Sequence, residues 1–319
     1  MEKRAIAFTD KGRNVIERLN NEYKKLGMEG ITANSYVSVK EFVSQGFKDK
    51  ACLIFVSAVG IAVRYISEYI NDKLLDSPVI VIDDNAQFVI PLVSGHVGGA
   101  NKVALTIAEL LGATPVITTS TDVNDVFSPD LYAQENNLKI QNRDGIKKVS
   151  AKALEGKAVR LSIKNFPPKE PVDVLISNVA DADAEYSLLL SPKPYVLGVG
   201  TKKDKDINEA EEFILHILKE NKISLDEVYA LCSIDRKEEE ECLKNFSKKY
   251  RIPFITFDAD LLNSIDGEFS HSDYVQEKVG VGNVCERAAI LGCRNDGELI
   301  VSKKIAEGIT VAVAKRMGI

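Results

Sequence analysis

The amino-terminal part of the chain alternates between short apolar runs and longer stretches with apolar residues at helical spacing. The runs Cys52–Val56 and Val79–Ile82 are apolar at every position, which is typical of strands buried on both faces of a mainly parallel sheet. The stretch Gly98–Leu111 instead carries apolar residues three and four positions apart, the pattern of a helix with one buried face. The alternation predicts a three-layer α/β/α domain.

The sequence predicts seven strands and helices in this part of the chain. In chain order they are strand Arg4–Phe8, helix Asn14–Leu26, strands Ala51–Phe55, Val79–Ile82 and Phe88–Val93, helix Gly98–Leu111 and strand Thr114–Ile117. The run Asp83–Ala86 is rich in residues that favour tight turns. It therefore predicts that the strands on either side of it run antiparallel at one edge of the sheet.

The pattern changes twice further along the chain. Residues 128–192 are less regular and contain the turn-rich run 165–168, which indicates a small α+β middle domain. Residues 193–319 alternate between strand and helix signals again, so they predict a second α/β domain at the carboxyl terminus. Together with a first domain over residues 1–127 this makes three domains, with Ser191–Pro194 as the linker before the last one.

Composition and charge exclude several classes of partner. The chain is 45% hydrophobic and 28% charged, with a formal net charge of −6. We expect a cytoplasmic protein, because no secretion signal is evident and no apolar run approaches the ~20 residues that span a bilayer. No basic stripe that would bind nucleic acid is present. The five cysteines contain no Cys-x-x-Cys pair and are expected to be buried thiols.

The segment Ser94–Asn101 is the strongest candidate for chemistry. It places His96 among glycines where a strand is followed by a helix. Gly98 and Gly99 allow close approach of a ligand, and the free N–H groups and positive dipole at a helix start attract anions. The role of His96 is left open: it could be a base, a hydrogen-bond donor, a metal ligand or a packed structural imidazole. No second histidine lies near it in sequence, so we predict no metal site built by the protein.

Two further polar clusters follow predicted strands. Ser57–Arg64 begins a helix with a hydroxyl at its N-cap and a cation soon after, and Thr118–Asp122 follows the strand that ends at Ile117. In a parallel sheet both clusters would join Ser94–Asn101 at the carboxyl edge, where such folds bind ligands. Hydroxyl and carboxylate side chains also cap helices without doing chemistry. The prediction of a site therefore depends on the convergence of the three clusters.

Glycine-rich turns in the last domain do not complete a nucleotide motif. Neither 198–200 nor 280–282 extends to G-x-G-x-x-G, and the chain has no P-loop. These observations argue against nicotinamide and ATP as ligands. Polar and charged candidates beside the apolar segments of this domain are Asp235, Lys237, Glu286 and Lys303.

Several motifs, in order, carry a resemblance to a known family. Gly60–Arg64, Gly95–Asn101 and Gly112–Asp122 closely resemble the amino domain of the CbiG family, the cobalt-precorrin-5A hydrolases of anaerobic cobalamin biosynthesis. The likeness continues in the last domain through Leu197–Gly200, Ser233–Leu243, Val284–Ala289, Lys303 and Thr310–Ala314. It covers nearly the whole length of the chain and is weakest in the middle.

The resemblance implies a substrate and a reaction. The substrate would be a cobalt-containing tetrapyrrole that is rich in acetate and propionate side chains and closed by a δ-lactone. Hydrolysis would open the lactone and release acetaldehyde to give cobalt-precorrin-5B. Cobalt would arrive inside the substrate, so no cofactor is expected. The competing interpretations are a non-catalytic corrinoid carrier or scaffold and a precorrin methyltransferase.

We assign hypothetical roles on this basis. His96 would be the general base, Asp122 would orient His96 or the water, and the amides of Gly98 and Gly99 would hold an oxyanion or a carboxylate. Alternatively, His96 contacts the cobalt of the substrate. The substrate-binding candidates are Ser57, Gly60, Arg64, Gly95, Gly98, Gly99, Asn101, Thr118, Thr119, Thr121, Gly198, Gly200, Asp235, Lys237, Glu286 and Lys303. The expected partner is this small molecule, with neither nucleic acid nor a membrane, and a homodimer is left open.

Overall fold

A computed structural model describes most of the chain. The described residues are 1–26, 30–33, 38–163, 170–178, 184–294 and 297–317. They form two compact units, one of residues 1–134 with 146–159 and the other of residues 135–145 with 160–319. Across the described ranges, no helix has both the length and the apolar character needed to cross a membrane. The expected α/β fold class is confirmed.

The first unit is built on a six-stranded sheet in the order β2-β1-β3-β4-β5-β6. Its strands are β1 (Lys3–Ala7), β2 (Thr32–Ala33), β3 (Cys52–Val56), β4 (Val79–Ile82), β5 (Phe88–Val93) and β6 (Thr114–Pro115). Its helices are α1 (Asp10–Lys25), α2 (Val39–Lys48), α3 (Val59–Ile66), α4 (Ala100–Leu111), α5 (Ser120–Val123) and α6 (Pro129–Glu135).

The central strands of this sheet are covered on both faces. Every residue of β3 and β4 is buried, as their unbroken apolar sequences predict. Alternate residues of each strand face opposite sides. Ile54 and Ile80 pack with α1 and α4 on one side, and Phe55 and Val81 pack with α2 and α3 on the other. The three-layer arrangement predicted for the first domain is confirmed.

Strand direction decides where the polar clusters lie. Strands β1, β2, β3 and β4 run parallel, but β5 runs antiparallel to β4, with Val93 opposite Val79. Strand β6 is parallel to β5. The ends of β5 and β6 therefore lie at the sheet edge opposite the end of β3. The expectation that all three clusters share one edge is wrong, because the cluster Ser57–Arg64 follows β3.

The four strands between residues 135 and 192 form a separate sheet in the second unit. Its order is β7-β10-β9-β8, from β7 (Leu138–Ile140), β8 (Leu161–Ile163), β9 (Val172–Ile176) and β10 (Tyr186–Pro192), and helix α7 (Arg143–Leu154) follows β7. The turn predicted at 165–168 lies outside the described residues. The linker predicted over Ser191–Pro194 is wrong, because Ser191 is buried and pairs with Lys139 in the sheet. The three-domain division itself stays a prediction.

The carboxyl-terminal sheet has the order β13-β12-β11-β15-β14. Its strands are β11 (Tyr195–Thr201), β12 (Val228–Ile234), β13 (Phe254–Phe257), β14 (Gly297–Ala306) and β15 (Ile309–Arg316). Its helices are α8 (Ile207–Glu220), α9 (Glu241–Tyr250), α10 (Ala259–Asn263), α11 (Asp273–Val279) and α12 (Val284–Gly292). Helices α8 and α9 pack on one face, and α10 and α12 pack on the other.

Close packing explains one of the candidate glycines. A Cβ atom at Gly198 would lie 1.8 Å from the carbonyl oxygen of Cys285, so the glycine allows α12 to lie directly against β11. Helix packing thus explains Gly198 without a contact to substrate, and the substrate-binding role stays a prediction. All five cysteines are buried, as expected.

Candidate active site

The loop between β5 and α4 depends on its glycines. Gly99 has a φ of 84°, in the left-handed region that favours glycine. A Cβ atom at Gly98 would lie 2.3 Å from the carbonyl oxygen of Ser94, so the chain folds back on itself at that point. Ser94 is anchored in turn, since its hydroxyl donates to the carbonyl of Asp76 at 2.9 Å. The loop therefore holds His96 on a tightly constrained backbone.

The backbone N–H groups at the start of α4 donate to carbonyl groups of the same loop. The N–H of Gly99 donates to the carbonyl of His96 at 2.8 Å, and the N–H of Ala100 donates to the carbonyl of Ser94 at 3.1 Å. The N–H of Asn101 donates to Gly95 at 3.0 Å. The prediction that the Gly99 amide serves as an oxyanion donor is therefore wrong for this conformation. The same bonds occupy N–H groups that were expected to receive an anion.

Both ring nitrogens of His96 face hydrogen-bonding partners. Its side chain is only 13% exposed, with Nε2 3.0 Å from Asp122 Oδ2 and 2.9 Å from Thr121 Oγ1. Nδ1 lies 3.3 Å from Ser128 Oγ and 3.7 Å from Asp130 Oδ1. Because the Ser128 hydroxyl donates to Asp130 at 2.7 Å, its oxygen is left to accept from Nδ1–H. The Ser128 oxygen thus requires a proton on Nδ1, and the Asp122 carboxylate favours a second proton on Nε2, so these contacts fit the charged imidazolium. When the ring loses a proton and keeps Nδ1–H, Nε2 becomes the basic nitrogen.

The carboxylates favour the charged imidazolium. Interaction with Asp130 raises the pKa of His96, and Asp122 raises it further against the opposing effect of burial. Burial would by itself raise the pKa of Asp130, but the bonds with His96 and Ser128 and the nearby Lys73 hold it well below its usual range. Lys73 Nζ lies 3.5 Å from Asp130 Oδ2. The buried carboxylate therefore stays ionised beside the imidazole.

Asp122 is held in place and remains accessible. The buried Asn101 donates through Nδ2 to Asp122 Oδ2, and also to Thr119 Oγ1 at 3.0 Å. A Cβ atom at Gly95 would lie 2.7 Å from the Asn101 amide, so the glycine makes room for this side chain. The Asp122 side chain is 32% exposed. An oriented carboxylate thus reaches solvent next to the basic nitrogen of His96.

A cavity of about 450 Å³ lies in the second unit, beside the end of β11. Its walls come from the ends of β11 and β12, from α11, from the start of α12 and from the β14–β15 hairpin. Its lining contains the five lysines Lys202, Lys203, Lys237, Lys278 and Lys303. Its apolar lining includes Ile234, Val275, Val279, Val284, Ile305 and Ile309. Burial raises the pKa of Cys285 in this wall to about 11, so it stays a thiol at neutral pH.

Glu286 lies beneath this cavity and does not line it. It is 2% exposed and accepts hydrogen bonds from Asn283 Nδ2 at 2.6 Å and from the backbone N–H groups of Ser270 at 3.0 Å and Lys303 at 2.7 Å. The predicted contact between Glu286 and substrate is therefore corrected. The carboxylate positions Lys303 where the pairing of β14 with β15 is irregular.

Comparisons with known proteins cover both units. The family model for cobalamin synthesis G, N-terminal, matches residues 41–122, and the model for the cobalamin synthesis G C-terminus matches residues 195–314. A cobalt-precorrin-5A hydrolase from Salmonella typhimurium is 31% identical over 294 residues, covering 84% of this chain and 83% of the relative. The chain belongs to the cobalt-precorrin-5A hydrolase family.

Further relatives of the cobalt-precorrin-5A hydrolase family are similar over comparable lengths. A cobalt-precorrin-5A hydrolase from Priestia megaterium is 30% identical, covering 87% of this chain and 82% of the relative. The crystal structure of a cobalamin biosynthesis protein G homologue from Sulfolobus solfataricus aligns with a TM-score of 0.42 at 22% identity, covering 99% of this chain and 97% of that one.

In this member of the cobalt-precorrin-5A hydrolase family, the site residues predicted from the sequence lie in different parts of the structure. The structure brings together, at one edge of the first sheet, His96, Asp122, Gly95, Gly98, Gly99, Asn101, Thr119 and Thr121. Gly200, Lys237 and Lys303 line the cavity of the second unit. Thr118 is exposed, and its side chain forms no hydrogen bond with the described part of the chain. Asp235 is also exposed, and its carboxylate accepts from the N–H of Arg236.

Ser57, Gly60 and Arg64 lie at the opposite edge of the first sheet. The residue at the N-cap of α3 is Ala58, and the Ser57 hydroxyl donates to its carbonyl at 3.2 Å. The predicted cap at Ser57 is therefore wrong. Arg64 is exposed in α3, which follows β3, and it does not join the loop of His96.

Sequence reasoning missed Ser128 and Asp130, which the domain boundary had placed in the middle region. The run Ser128-Pro129-Asp130 precedes and begins α6, and a helix start with proline in its first turn explains these residue types without a site. Only the fold brings them to Nδ1 of His96. Lys202, Lys203 and Lys278 were also missed, because lysines scattered along a sequence are expected to be solvated.

Proposed function

We propose that this chain opens the δ-lactone of cobalt-precorrin-5A with His96 as the general base and releases acetaldehyde. The observation that carries the proposal is the arrangement of the His96 ring. Its Nδ1 side is anchored through Ser128 to a buried, ionised Asp130, and its Nε2 side lies 3.0 Å from an accessible Asp122. Relatives that are 30% and 31% identical over most of the chain carry the name of this hydrolase.

The first step is attack by water on the lactone carbonyl. A water molecule beside Nε2 and the exposed face of Asp122 gives its proton to Nε2 as its oxygen bonds to the carbonyl carbon. The imidazolium that forms is stabilised by Asp130 on one side and Asp122 on the other, as the raised pKa of His96 requires. The tetrahedral oxyanion forms next to this new positive charge.

Collapse of the intermediate opens the ring. The oxygen from water remains in the new carboxylic acid, and the former ring oxygen leaves with the two-carbon bridge, becoming the oxygen of acetaldehyde as the carbon–carbon bond to the macrocycle breaks. The electron pair of that bond stays on the macrocycle carbon. The proton held by His96 returns to this carbon, so that water is the only co-reactant and the base is regenerated. Cobalt enters and leaves as part of the substrate.

The surroundings of His96 support the base over a contact with the substrate cobalt. Nε2 already lies within hydrogen-bond distance of the Thr121 hydroxyl and of Asp122, and the ring is only 13% exposed. A metal atom at the centre of a rigid macrocycle would have to displace both partners to reach Nε2. A water molecule is small enough to take the place of the Thr121 hydroxyl alone while it stays hydrogen-bonded to the exposed Asp122 carboxylate.

Anaerobic incubation with cobalt-precorrin-5A, with trapping of acetaldehyde, tests the proposal. We expect stoichiometric aldehyde and a corresponding decrease in substrate mass. A carrier or scaffold would return the substrate with its mass unchanged. A methyltransferase would increase the mass by a methyl group, and only when S-adenosylmethionine is supplied. Either of these results with folded protein and authentic substrate would refute the hydrolase assignment.

A further inference from the structure

The cavity beside β11 has a charge opposite to that of the chain as a whole. The chain carries a formal net charge of −6, yet the residues that line this cavity include five lysines and neither aspartate nor glutamate. Clustered cations surrounded by apolar walls attract anions more strongly than scattered surface lysines do. The cavity therefore favours a ligand that carries several negative charges.

Most of these lysines have no carboxylate partner among the residues that the structure describes. Lys237 is ion-paired with Glu240 at 2.7 Å. Within the described ranges, no ion pair is formed by the side chains of Lys202, Lys203, Lys278 or Lys303. Glu286 fixes the backbone of Lys303 and leaves its ammonium group available. Four cations thus remain to pair with groups on a ligand.

The rest of the lining suits an organic ligand with a large apolar body. Val279, Val284 and Ile309 contribute aliphatic surface, and the exposed Tyr274 and Ile305 are 69% and 70% accessible. Exposed apolar side chains beside a concave, mostly apolar wall are typical of a binding site for an organic molecule. A small inorganic anion would leave these surfaces in contact with water.

A buried polar group in the cavity wall also lacks a partner. Thr201 lines the cavity, and its buried Oγ1 has no hydrogen-bond partner among the described residues. Buried hydroxyl groups are nearly always hydrogen-bonded in folded proteins. Thr201 therefore leaves an unsatisfied polar group in the wall of the cavity.

We propose that the lysine cavity binds carboxylate side chains of a tetrapyrrole, using residues different from those of the His96 loop. The ring edge would lie against Tyr274 and Ile305, and the acids would pair with Lys203, Lys278 and Lys303. The identity of the ligand rests on the proposed function. The existence of a polycarboxylate site rests only on the cavity, so a binding experiment can fail or succeed independently of turnover.

Equilibrium binding of cobyrinic acid to the full-length protein tests this proposal. Cobyrinic acid is a stable cobalt corrinoid with free carboxylic acids around its ring and no lactone, so it cannot be turned over. Cobinamide has the same ring with amides in place of acids and serves as the matched ligand. We expect the protein to bind the acid, to bind cobinamide at least tenfold more weakly, and to lose affinity for the acid as salt is added.

Variants locate the site. The triple lysine variant, with Lys203→Gln, Lys278→Gln and Lys303→Gln, is expected to bind cobyrinic acid about tenfold more weakly. Lys219→Gln, at an exposed lysine of α8 outside the cavity, serves as the matched control and should bind normally. His96→Ala should also keep the affinity while losing acetaldehyde release. Circular dichroism establishes that each variant is folded.

Four results would overturn the proposal: unchanged binding by the folded triple lysine variant, equal binding of cobinamide, no binding of cobyrinic acid by the wild-type protein, or loss of binding in His96→Ala. Competition by ATP or pyrophosphate at equal concentration would also overturn it, because the cavity would then be a phosphate site. Failure of the hydrolase assignment would appear separately, as binding without release of aldehyde.

Discussion

The surroundings of His96 and the lysine cavity differ in their charged groups. Around His96, two carboxylates lie within 4 Å of the ring nitrogens and raise the pKa of the imidazole. In the cavity, five lysines gather on an apolar wall that contains no carboxylate among its described residues. The first arrangement stabilises a proton on a nitrogen, and the second attracts anions.

The different charged groups in the two places bear on the two proposed roles. The charged groups around His96 are already paired, because Asp122 and Asp130 face the imidazole and Lys73 lies 3.5 Å from Asp130. N–H groups at the start of α4 also already bond to the loop. The expectation of a carboxylate at this helix start therefore does not fit the structure. The lysines are the better candidates for binding acidic side chains, and the His96 loop remains the proposed place of lactone hydrolysis.

The largest effect is expected when the base is removed. His96→Ala should reduce the rate of acetaldehyde release by ~10²-fold or more, since positioned proton transfer contributes at least that much. His216→Ala is the matched control, because His216 lies exposed on α8 with Glu220 as its partner at 3.4 Å. Near-normal turnover by His96→Ala would remove His96 from the role of base.

A smaller effect, with a defined sign, is expected from Asp130→Asn. Asp130 is the largest influence that raises the pKa of His96, so the variant should move that pKa down towards the ordinary value of 6.5. The base works when neutral, so the acidic limb of the rate–pH profile should shift to lower pH. The profile, together with NMR titration of the three histidines, measures the shift. If the acidic limb of the profile does not move, Asp130 does not raise the pKa of His96.

The interaction between His96 and Asp130 makes the free energy of unfolding depend on pH in two ranges. The raised pKa of His96 gives stabilisation that is complete below the ordinary value of 6.5 and is lost as pH rises through the folded pKa. The lowered pKa of Asp130 gives stabilisation that is present above its ordinary value of 3.8 and is lost as pH falls through the folded pKa. Urea titrations of wild type and Asp130→Asn should differ less at strongly acidic pH, where both contributions from Asp130 are reduced.

A pair of glycine variants tests how far the loop is constrained. Gly99→Ala should lower the free energy of unfolding by about 1 kcal/mol, because alanine is strained at a φ of 84°. Gly60→Ala should be neutral or slightly stabilising, since its Cβ would meet nothing within 4 Å and it lies in a helix. Urea denaturation compares the two, and equal effects would mean that the backbone of the His96 loop relaxes freely.

The smallest effect is expected at the other edge of the first sheet. Arg64→Ala should leave kcat for acetaldehyde release unchanged, because strand β5 reverses the sheet direction and places His96 at the opposite edge from α3. A tenfold or greater loss of kcat would show that this edge takes part in the chemistry.

Local pattern predicted most of the fold of the first unit. The apolar runs β3 and β4 are buried throughout, and the helix start near Gly98 depends on glycines as expected. The turn Asp83–Ala86 even predicted the antiparallel pair of strands β4 and β5. Its consequence for the site was missed, because the clusters were assigned to a common edge as if every strand were parallel.

The rest of the site depends on contacts that no local pattern encodes. Asp130 looks like a residue of a helix start, and only the tertiary fold brings it to His96. Glu286 looks like an available charge, yet its four hydrogen bonds and 2% exposure follow from how α12 packs beneath Lys303. Long-range packing therefore decides which charged residues are available to a ligand.

The division between chemistry and binding is tested most directly by measuring kcat and KM for acetaldehyde release in parallel for two variants. We predict that kcat falls in His96→Ala while KM changes little. In the triple lysine variant we predict a KM about tenfold higher and an unchanged kcat. The opposite division, with kcat lost in the lysine variant and KM raised in His96→Ala, would contradict it.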